Sequence, residues 1–154
     1  MKLKEQVLTL LNQAFEKRLD LFLIDFSMDT KNHIEIIIDG DKGVSINDCV
    51  EVSRAIEHQL DREVHDFSLS VQSSGATAPL KLARQYPQHK GRTLKVKSEG
   101  SELKGKLIEV TDKEITIEWS ERVPKEVGKG KQTVVRKETI AYNIIDQAQI
   151  VLTF

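Results

Sequence analysis

Apolar residues near the start of the chain follow two different periods. Over residues 3–18 they recur every three or four positions, which is the spacing of an amphipathic helix: Leu3, Val7, Leu10, Leu11, Ala14 and Phe15. Residues 21–28 and 33–39 are rich in branched and aromatic side chains, and alternate positions of the second run fall on one face of a strand: Ile34, Ile36 and Ile38. The pattern predicts a helix followed by a β-hairpin.

A second helix and a third strand follow. Ser45 and Asp48 have the spacing of a capping box, which predicts a helix that begins at Ile46. Its apolar stripe is predicted to contain Ile46, Cys49, Val50, Ser53, Ile56 and Leu60. Alternation of Phe67, Leu69 and Val71 then predicts a strand before a loop at 73–79. The order of elements is therefore α-β-β-α-β.

The rest of the chain reads as β-structure. A connector, "LKLARQY", leads into five strand-like runs with short turns between the first three: 92–98, 103–111, 114–120, 132–142 and 148–154. We therefore predict an α+β fold with an α/β domain over 1–85 and a small β-barrel over 86–154. Residues 121–132, which contain two glycines and three lysines, are expected to form the longest loop of the barrel.

Composition narrows the class of protein. The 154 residues are 39% hydrophobic and 31% charged, with one cysteine, which excludes an internal disulfide and a multi-cysteine zinc site. No segment is long and apolar enough to span a membrane, and the N-terminus is unlike a signal peptide, so a cytoplasmic protein is expected. Net charge is −1, but residues 1–85 carry −4 and residues 86–154 carry +3.

The acidic glycine turn "DGDKG" allows three interpretations. A calcium-binding EF-hand loop is disfavoured, because Gly43 and Val50 occupy the fifth and twelfth ligand positions. "GDKG" matches the GxxG of KH domains, which approaches phosphates, although Asp39 and Asp41 would repel them. The favoured alternative is a strand-to-helix turn in which Gly40 and Gly43 adopt positive φ.

Other reactive residues give little support for catalysis. Cys49 lies on the predicted apolar stripe, where burial would raise its pKa and make the thiol inert. The four histidines lack zinc-site spacing, and no nucleotide-binding loop or nucleophile motif is present. Trp119 could stack on a base or anchor a protein partner, but closing one end of a barrel core is the favoured role. The basic residues around the domain boundary are either solvated or contacts for RNA phosphate: Lys81, Arg84, Lys90, Arg92, Lys95 and Lys97.

Three segments together resemble the RimP family of ribosome maturation factors. "IIIDGDKGVSINDCVEVSRAIEHQLD" is similar to the family signature, in which a strand ends in D-x-x-x-G and V-[ST]-I-[DN]-D-C and V-S-R follow. "VQSSGATAPL" resembles the family's V-S-S-P-G-x-x-x-P-L, and "IAYNIIDQAQIVLTF" resembles its closing segment. Two positions depart from the pattern. Ser74 stands where the family has Pro, and Ala78 stands where the family often has a basic or amide residue.

The resemblance implies a non-enzymatic assembly factor without a cofactor or a metal. It implies a KH-like first domain, an SH3-like, Sm-type barrel as the second, and binding to the immature small ribosomal subunit, including 16S rRNA and protein S12. A monomer with no membrane or small-molecule partner is expected, and a free Sm-like or KH-like RNA regulator is the alternative. Candidate contacts are Asp39, Gly40, Gly43, Ser73, Gly75, Lys81, Arg84, Lys90 and Arg92.

Overall fold

A computed structural model describes residues 2–75 and 78–152. The chain divides into two compact units, residues 1–75 and 76–154, each with its own sheet and its own hydrophobic core. Both helices of eight or more residues in the described ranges lie in the first unit, whereas the second consists of strands and short 3-10 turns. The predicted α+β class is confirmed.

The first unit has the predicted order of elements. Its members are α1 (Leu3–Lys17), β1 (Leu21–Met28), β2 (His33–Gly40), α2 (Ile46–Glu57) and β3 (Ser68–Ser73). β2 is the central strand, antiparallel to β1 and parallel to β3, so α2 forms the crossover between two parallel strands. The predicted isoleucine face is confirmed, because Ile34, Ile36 and Ile38 are all buried together with Leu3, Val7 and Leu11 of α1.

The buried face of α2 differs from the predicted stripe. Cys49, Val52 and Ile56 are buried, whereas Ile46 is 83% exposed and Val50 is 39% exposed. Cys49 and Ile56 belong to both faces, but Val52 replaces Val50 because the side of α2 that meets the sheet and α1 is rotated by part of a turn. Two branched apolar side chains are consequently left at the surface near the start of the helix.

The second unit is an antiparallel sheet of five strands in the order β7-β6-β5-β4-β8. These strands are β4 (Thr93–Ser98), β5 (Ser101–Val110), β6 (Glu114–Pro124), β7 (Lys131–Ala141) and β8 (Ile145–Ile150). The core contains alternate residues from all five strands: Leu94, Val96, Leu107, Ile115, Ile117, Ile140, Ala148 and Ile150. The last predicted run, 148–154, begins three residues earlier than expected, and its positions 153–154 lie outside the described residues.

The connector belongs to the second unit. It contains one 3-10 turn, Ala83–Gln85, and a second, Pro87–His89, follows it directly. Leu80 N–H donates to the Ala148 carbonyl at 2.7 Å, and Tyr86 is buried in the second core. The structural division therefore falls after residue 75, where the sequence predicted a boundary near residue 85. The predicted loop at 73–79 begins with the last residue of β3, and its positions 76–77 lie outside the described residues.

The predicted long loop at 121–132 is mostly a β-ladder. β6 and β7 remain paired out to Pro124 opposite Lys131, so only residues 125–130 form the turn. Lys125 N–H donates to the Gly130 carbonyl at 3.2 Å, and Gly128 and Gly130 have positive φ, which closes the tip. This turn is the longest connection between strands of the second unit, as predicted, but the predicted bounds are wrong because ladder hydrogen bonds continue to Pro124 and Lys131.

Candidate functional site

The acidic turn is a tight strand-to-helix connection. Asp39 is only 8% exposed, and its carboxylate accepts a hydrogen bond from Gly40 N–H at 2.8 Å. Gly43 N–H donates to the Gly40 carbonyl at 3.0 Å, and Asp41 N–H donates to the Asp20 carbonyl at 2.8 Å. The backbone of this turn is therefore held by contacts within the first unit.

The two glycines of the turn serve different purposes. Gly43 has φ +83°, as predicted, a conformation that favours a residue without Cβ. Gly40 does not have positive φ, so that prediction is wrong; it is required because a Cβ there would overlap the Gly43 carbonyl oxygen and lie 3.1 Å from Leu21 Cδ2. The turn needs glycine at Gly40 for close packing and at Gly43 for backbone conformation.

The start of α2 is closed by a reciprocal cap. Ser45 Oγ accepts from Asp48 N–H at 3.1 Å, and Asp48 Oδ2 accepts from Ser45 N–H at 2.8 Å, which confirms the predicted capping box. Arg18 donates to Asp48 at 3.0 Å, to Glu51 at 2.5 Å and to Asp20 at 3.2 Å. Because three carboxylates surround one guanidinium, the region is acidic and poorly suited to a phosphate.

These contacts alter the protonation of the carboxyl groups. The pKa of Asp20 is lowered chiefly by the hydrogen bond from Arg18. The pKa of Asp48 is lowered first by the Ser45 backbone N–H and then by Arg18. In both cases the unfolded chain binds protons more readily than the folded chain, so the stabilisation is present above the unfolded pKa of about 4 and is lost as the pH falls below it.

We therefore predict that Arg18→Gln flattens the acid limb of the stability profile. Wild type should lose free energy of unfolding as the pH falls from about 5 towards 2, whereas the variant should lose less over that interval and be less stable at neutral pH. Denaturant unfolding at a series of pH values measures both effects. Lys17→Gln removes a neighbouring exposed charge as a control, and parallel profiles for wild type and Arg18→Gln would contradict the prediction.

Ser73 and Gly75 lie at the end of the edge strand of the first sheet. Both are exposed, and Ser73 stands opposite Ile38 in the parallel ladder. A Cβ at Gly75 would meet no atom of the described residues within 4 Å. Ser73 also lines a groove of about 450 Å³ between α2 and β3, together with the exposed Ile46 and Val50. The structure thus places Ser73 beside an apolar strip that the sequence did not predict.

Four candidate cations, called the connector cations below, lie in the connector or within the six residues that follow it. Lys81, Arg84, Lys90 and Arg92 are all exposed and occupy positions in or next to the two 3-10 turns. Gln85 organises this segment, since its buried side-chain oxygen accepts from the N–H groups of Lys81 and Leu82 at 2.7 and 3.0 Å. A rigid segment therefore carries the positive charge.

The contacts of Trp119 lie within the second unit. Its ring packs against the second core, and its indole N–H donates to Glu121 at 2.9 Å. Glu121 also accepts from Arg136 at 3.4 Å, and both bonds lower the pKa of its carboxyl, that from Trp119 more strongly. These contacts agree with the favoured core-closing role.

The described residues offer few groups that could act in catalysis or bind a metal ion. Cys49 is 8% exposed, and burial raises the pKa of its thiol, as predicted. Among residues 2–75 and 78–152 no group of three His, Cys, Asp or Glu residues is placed to hold a metal ion. Within the same ranges no helix is long and apolar enough to cross a bilayer.

Comparison with known proteins decides the family. Residues 10–77 match the family described as the RimP N-terminal domain. Over its full length the chain is 48% identical to the ribosome maturation factor RimP of Flavobacterium psychrophilum, and 100% of each chain is covered. The chain belongs to the RimP family. Its identity to the RimP of Christiangramia forsetii is 47% over 99% of each chain, and to that of Porphyromonas gingivalis it is 35% over 84% of this chain and 86% of the other.

The signature segment that resembles the RimP pattern now has a physical explanation. Its D-x-x-x-G portion is the turn in which Asp39 is buried and Gly43 has positive φ, and its next portion contains the α2 capping box. Sequence reasoning missed the exposed strip at Ile46 and Val50. The spacing of Cys49, Val52 and Ile56, three and then four residues apart, was a signal that could have identified the buried face of α2.

Proposed function

We propose that the protein is a ribosome maturation factor that binds the immature small (30S) ribosomal subunit in the cytoplasm and promotes its maturation without catalysis. Full-length identity of 47–48% to two proteins named as ribosome maturation factors carries this proposal. The partners are 16S rRNA and ribosomal protein S12, as the family resemblance implies, and the protein acts as a monomer.

The proposal includes the type of each unit. The first is KH-like, supported by the α-β-β-α-β order and by a helix that connects two parallel strands. The second is an SH3-like, Sm-type barrel, supported by five short antiparallel strands around a single apolar core. Both are architectures that commonly present surfaces to RNA or protein.

The mechanism is preferential binding to one state of the particle. A factor that binds a partly folded subunit better than a misfolded one shifts their ratio about tenfold for each 1.4 kcal/mol of difference in binding free energy. No bond is made or broken, in agreement with a buried Cys49 whose thiol pKa is raised.

The candidate residues contribute in two ways. Lys81, Arg84, Lys90 and Arg92 are exposed and suited to phosphate contacts, while Ser73 and Gly75 offer an exposed strand end. Asp39 and Gly40 are buried, and Gly43 is partly buried, so within this proposal they act by fixing the turn that precedes α2.

Co-sedimentation tests the proposal. Wild-type protein mixed with immature small subunits is expected to travel with the particle through a density gradient, and a variant with Gln at the four connector cations is expected to bind at least tenfold more weakly. The control is Gln at four exposed lysines of the first unit, which removes equal charge elsewhere: Lys2, Lys4, Lys17 and Lys31.

Two outcomes would overturn the proposal. Wild type that remains at the top of the gradient at low and moderate salt would exclude binding to the particle. Tight binding to short naked RNA, with no preference for the particle, would instead support the free RNA regulator. Circular dichroism of each variant verifies that it is folded.

A further inference from the structure

The outer half of the β6–β7 hairpin forms a basic arm, defined here as residues 121–137. Five ladder pairs lie beyond Trp119, from Ser120 opposite Val135 to Pro124 opposite Lys131, which gives a ribbon of roughly 17 Å before the tip. Between residues 120 and 139 every side chain is exposed except those of Val123 and Val134, which are partly buried. The arm is therefore a two-stranded ribbon with solvent on both faces.

The charge of the arm is strongly positive. It contains six basic residues and two acidic ones, and one of the acids, Glu121, is bound by Trp119 and Arg136. The other five cations form no ion pair within 4 Å with any residue in the described ranges: Arg122, Lys125, Lys129, Lys131 and Lys137. The arm is thus left with unneutralised charge in a protein whose net charge is −1.

The ladder sorts these cations by face. Residues directly opposite one another in an antiparallel ladder share a face, and faces alternate along each strand. Arg122, Lys131 and Lys137 therefore lie on one face, while Arg136 and Glu121 lie on the other beside Trp119. Lys125 and Lys129 lie in the turn at the tip, beyond the last ladder pair. Lys137 stands opposite Glu118, whereas Arg122 and Lys131 are diagonal neighbours with no acidic residue opposite either of them, so their like charges repel one another.

The arm contributes little to the stability of its own unit. A two-stranded ribbon without a covered apolar face is marginally stable in water, and none of its residues belongs to the buried core. The stability of the second unit therefore does not explain why the hairpin extends beyond the core. A role in binding would explain this extension.

We propose that the basic arm binds the phosphodiester backbone of RNA without reading its bases. This inference rests on the proposed function in one respect only: the proposed function identifies the assembling small subunit as the source of the RNA. Phosphate contacts need exposed cations and little apolar area, which is what the arm offers. A protein partner would call for an aromatic anchor, but residues 121–137 contain no Phe, Tyr or Trp. Trp119, opposite Arg136 at the base of the arm, packs against the second core, and Val127 and Val135 are the two most exposed apolar residues of the arm.

Binding to transcribed 16S rRNA as a function of salt measures the contribution of the arm. Each phosphate contact that is lost reduces the slope of log K against log salt by about 0.7–0.9. For the variant R122Q/K129Q/K131Q we expect a slope about 2 smaller than that of wild type, and affinity reduced about tenfold or more at low salt. R122K/K129R/K131R, which keeps the charge, should retain the wild-type slope.

Matched variants distinguish the effect of removing charge from the arm from the effect of removing charge elsewhere in the protein. K104Q/K106Q/K113Q removes three exposed lysines of the same unit outside the arm and should change the slope by less than 1. A second variant replaces residues 121–134 with Asn-Gly, which joins Ser120 to Val135 by a two-residue hairpin turn and should weaken RNA binding to the same extent. Trp119 fluorescence verifies that both arm variants remain folded.

The outcomes distinguish this inference from the proposed function. If wild type binds immature subunits and transcript while the arm variants keep its slope and affinity, the inference is overturned and the proposed function stands. If wild type binds transcript through the arm but does not sediment with subunits, the proposed function fails and the inference stands. If the arm variants lose binding only to polyglutamate or to phosphatidylserine vesicles, an acidic protein or a membrane is the partner, and the inference is overturned.

Discussion

The Gly40→Ala variant is expected to lose about 2–3 kcal/mol of free energy of unfolding. The added methyl group would overlap the carbonyl oxygen of Gly43, and Leu21 Cδ2 lies 3.1 Å from the same position. Because the carbonyl belongs to the backbone of the turn, relief requires movement of the chain that leads into α2. Denaturant unfolding followed by far-UV circular dichroism measures the loss, since both long helices of the described chain lie in the first unit.

Gly75→Ala is the matched control for this substitution. Gly75 is also a candidate contact residue, but a Cβ there meets no atom in the described part of the chain within 4 Å and the backbone does not have positive φ. Its free energy of unfolding should remain within about 0.5 kcal/mol of wild type. Equal stability of Gly40→Ala and wild type would show that the turn accommodates a side chain and would refute the steric explanation.

The Leu107→Ala variant is expected to destabilise the second unit by about 3 kcal/mol. Leu107 is fully buried in the second core, so truncation removes apolar contacts and leaves a cavity among neighbouring branched side chains. Trp119 is the single tryptophan of the chain and packs against the same core, so its fluorescence reports unfolding of this unit. The midpoint of the fluorescence transition in denaturant measures the effect.

Val135→Ala provides the control for Leu107→Ala. Val135 lies on β7 and is 57% exposed, so its truncation should change the free energy of unfolding by no more than about 0.5 kcal/mol. A fluorescence midpoint for Leu107→Ala that matches that of Val135→Ala would contradict the assignment of Leu107 to the core.

Strong local signals predicted most of the fold. Three local patterns each indicate a single type of element: the helical spacing in α1, the alternate isoleucines of β2 and the cap at Ser45. The structure confirms all three predictions. The buried face of α2 was harder to predict from the sequence. Val50 and Val52 both lie close enough to Cys49 on the helix surface to share a buried face with it. Only packing against the sheet and α1 decides that Val52 is buried and Val50 is not.

The site was harder to predict than the fold. The role of Gly40 depends on the approach of the Gly43 carbonyl, which is a three-dimensional contact with no sequence signature. The outer part of the β6–β7 hairpin has no covered apolar face, so the period-2 alternation that reveals a half-buried strand is lacking and glycines and lysines suggest a loop. Backbone hydrogen bonding continues there independently of side-chain burial.

The pairing of β4 with β8 has a consequence for the order of folding during synthesis. Val96 pairs with Ala148, so the first and last strands of the second unit are neighbours. The first unit contains all its strand partners within its own segment and can assemble while translation continues. The second unit cannot complete its sheet until β8 (Ile145–Ile150) has been made, so one edge of β4 stays unpaired until those residues emerge.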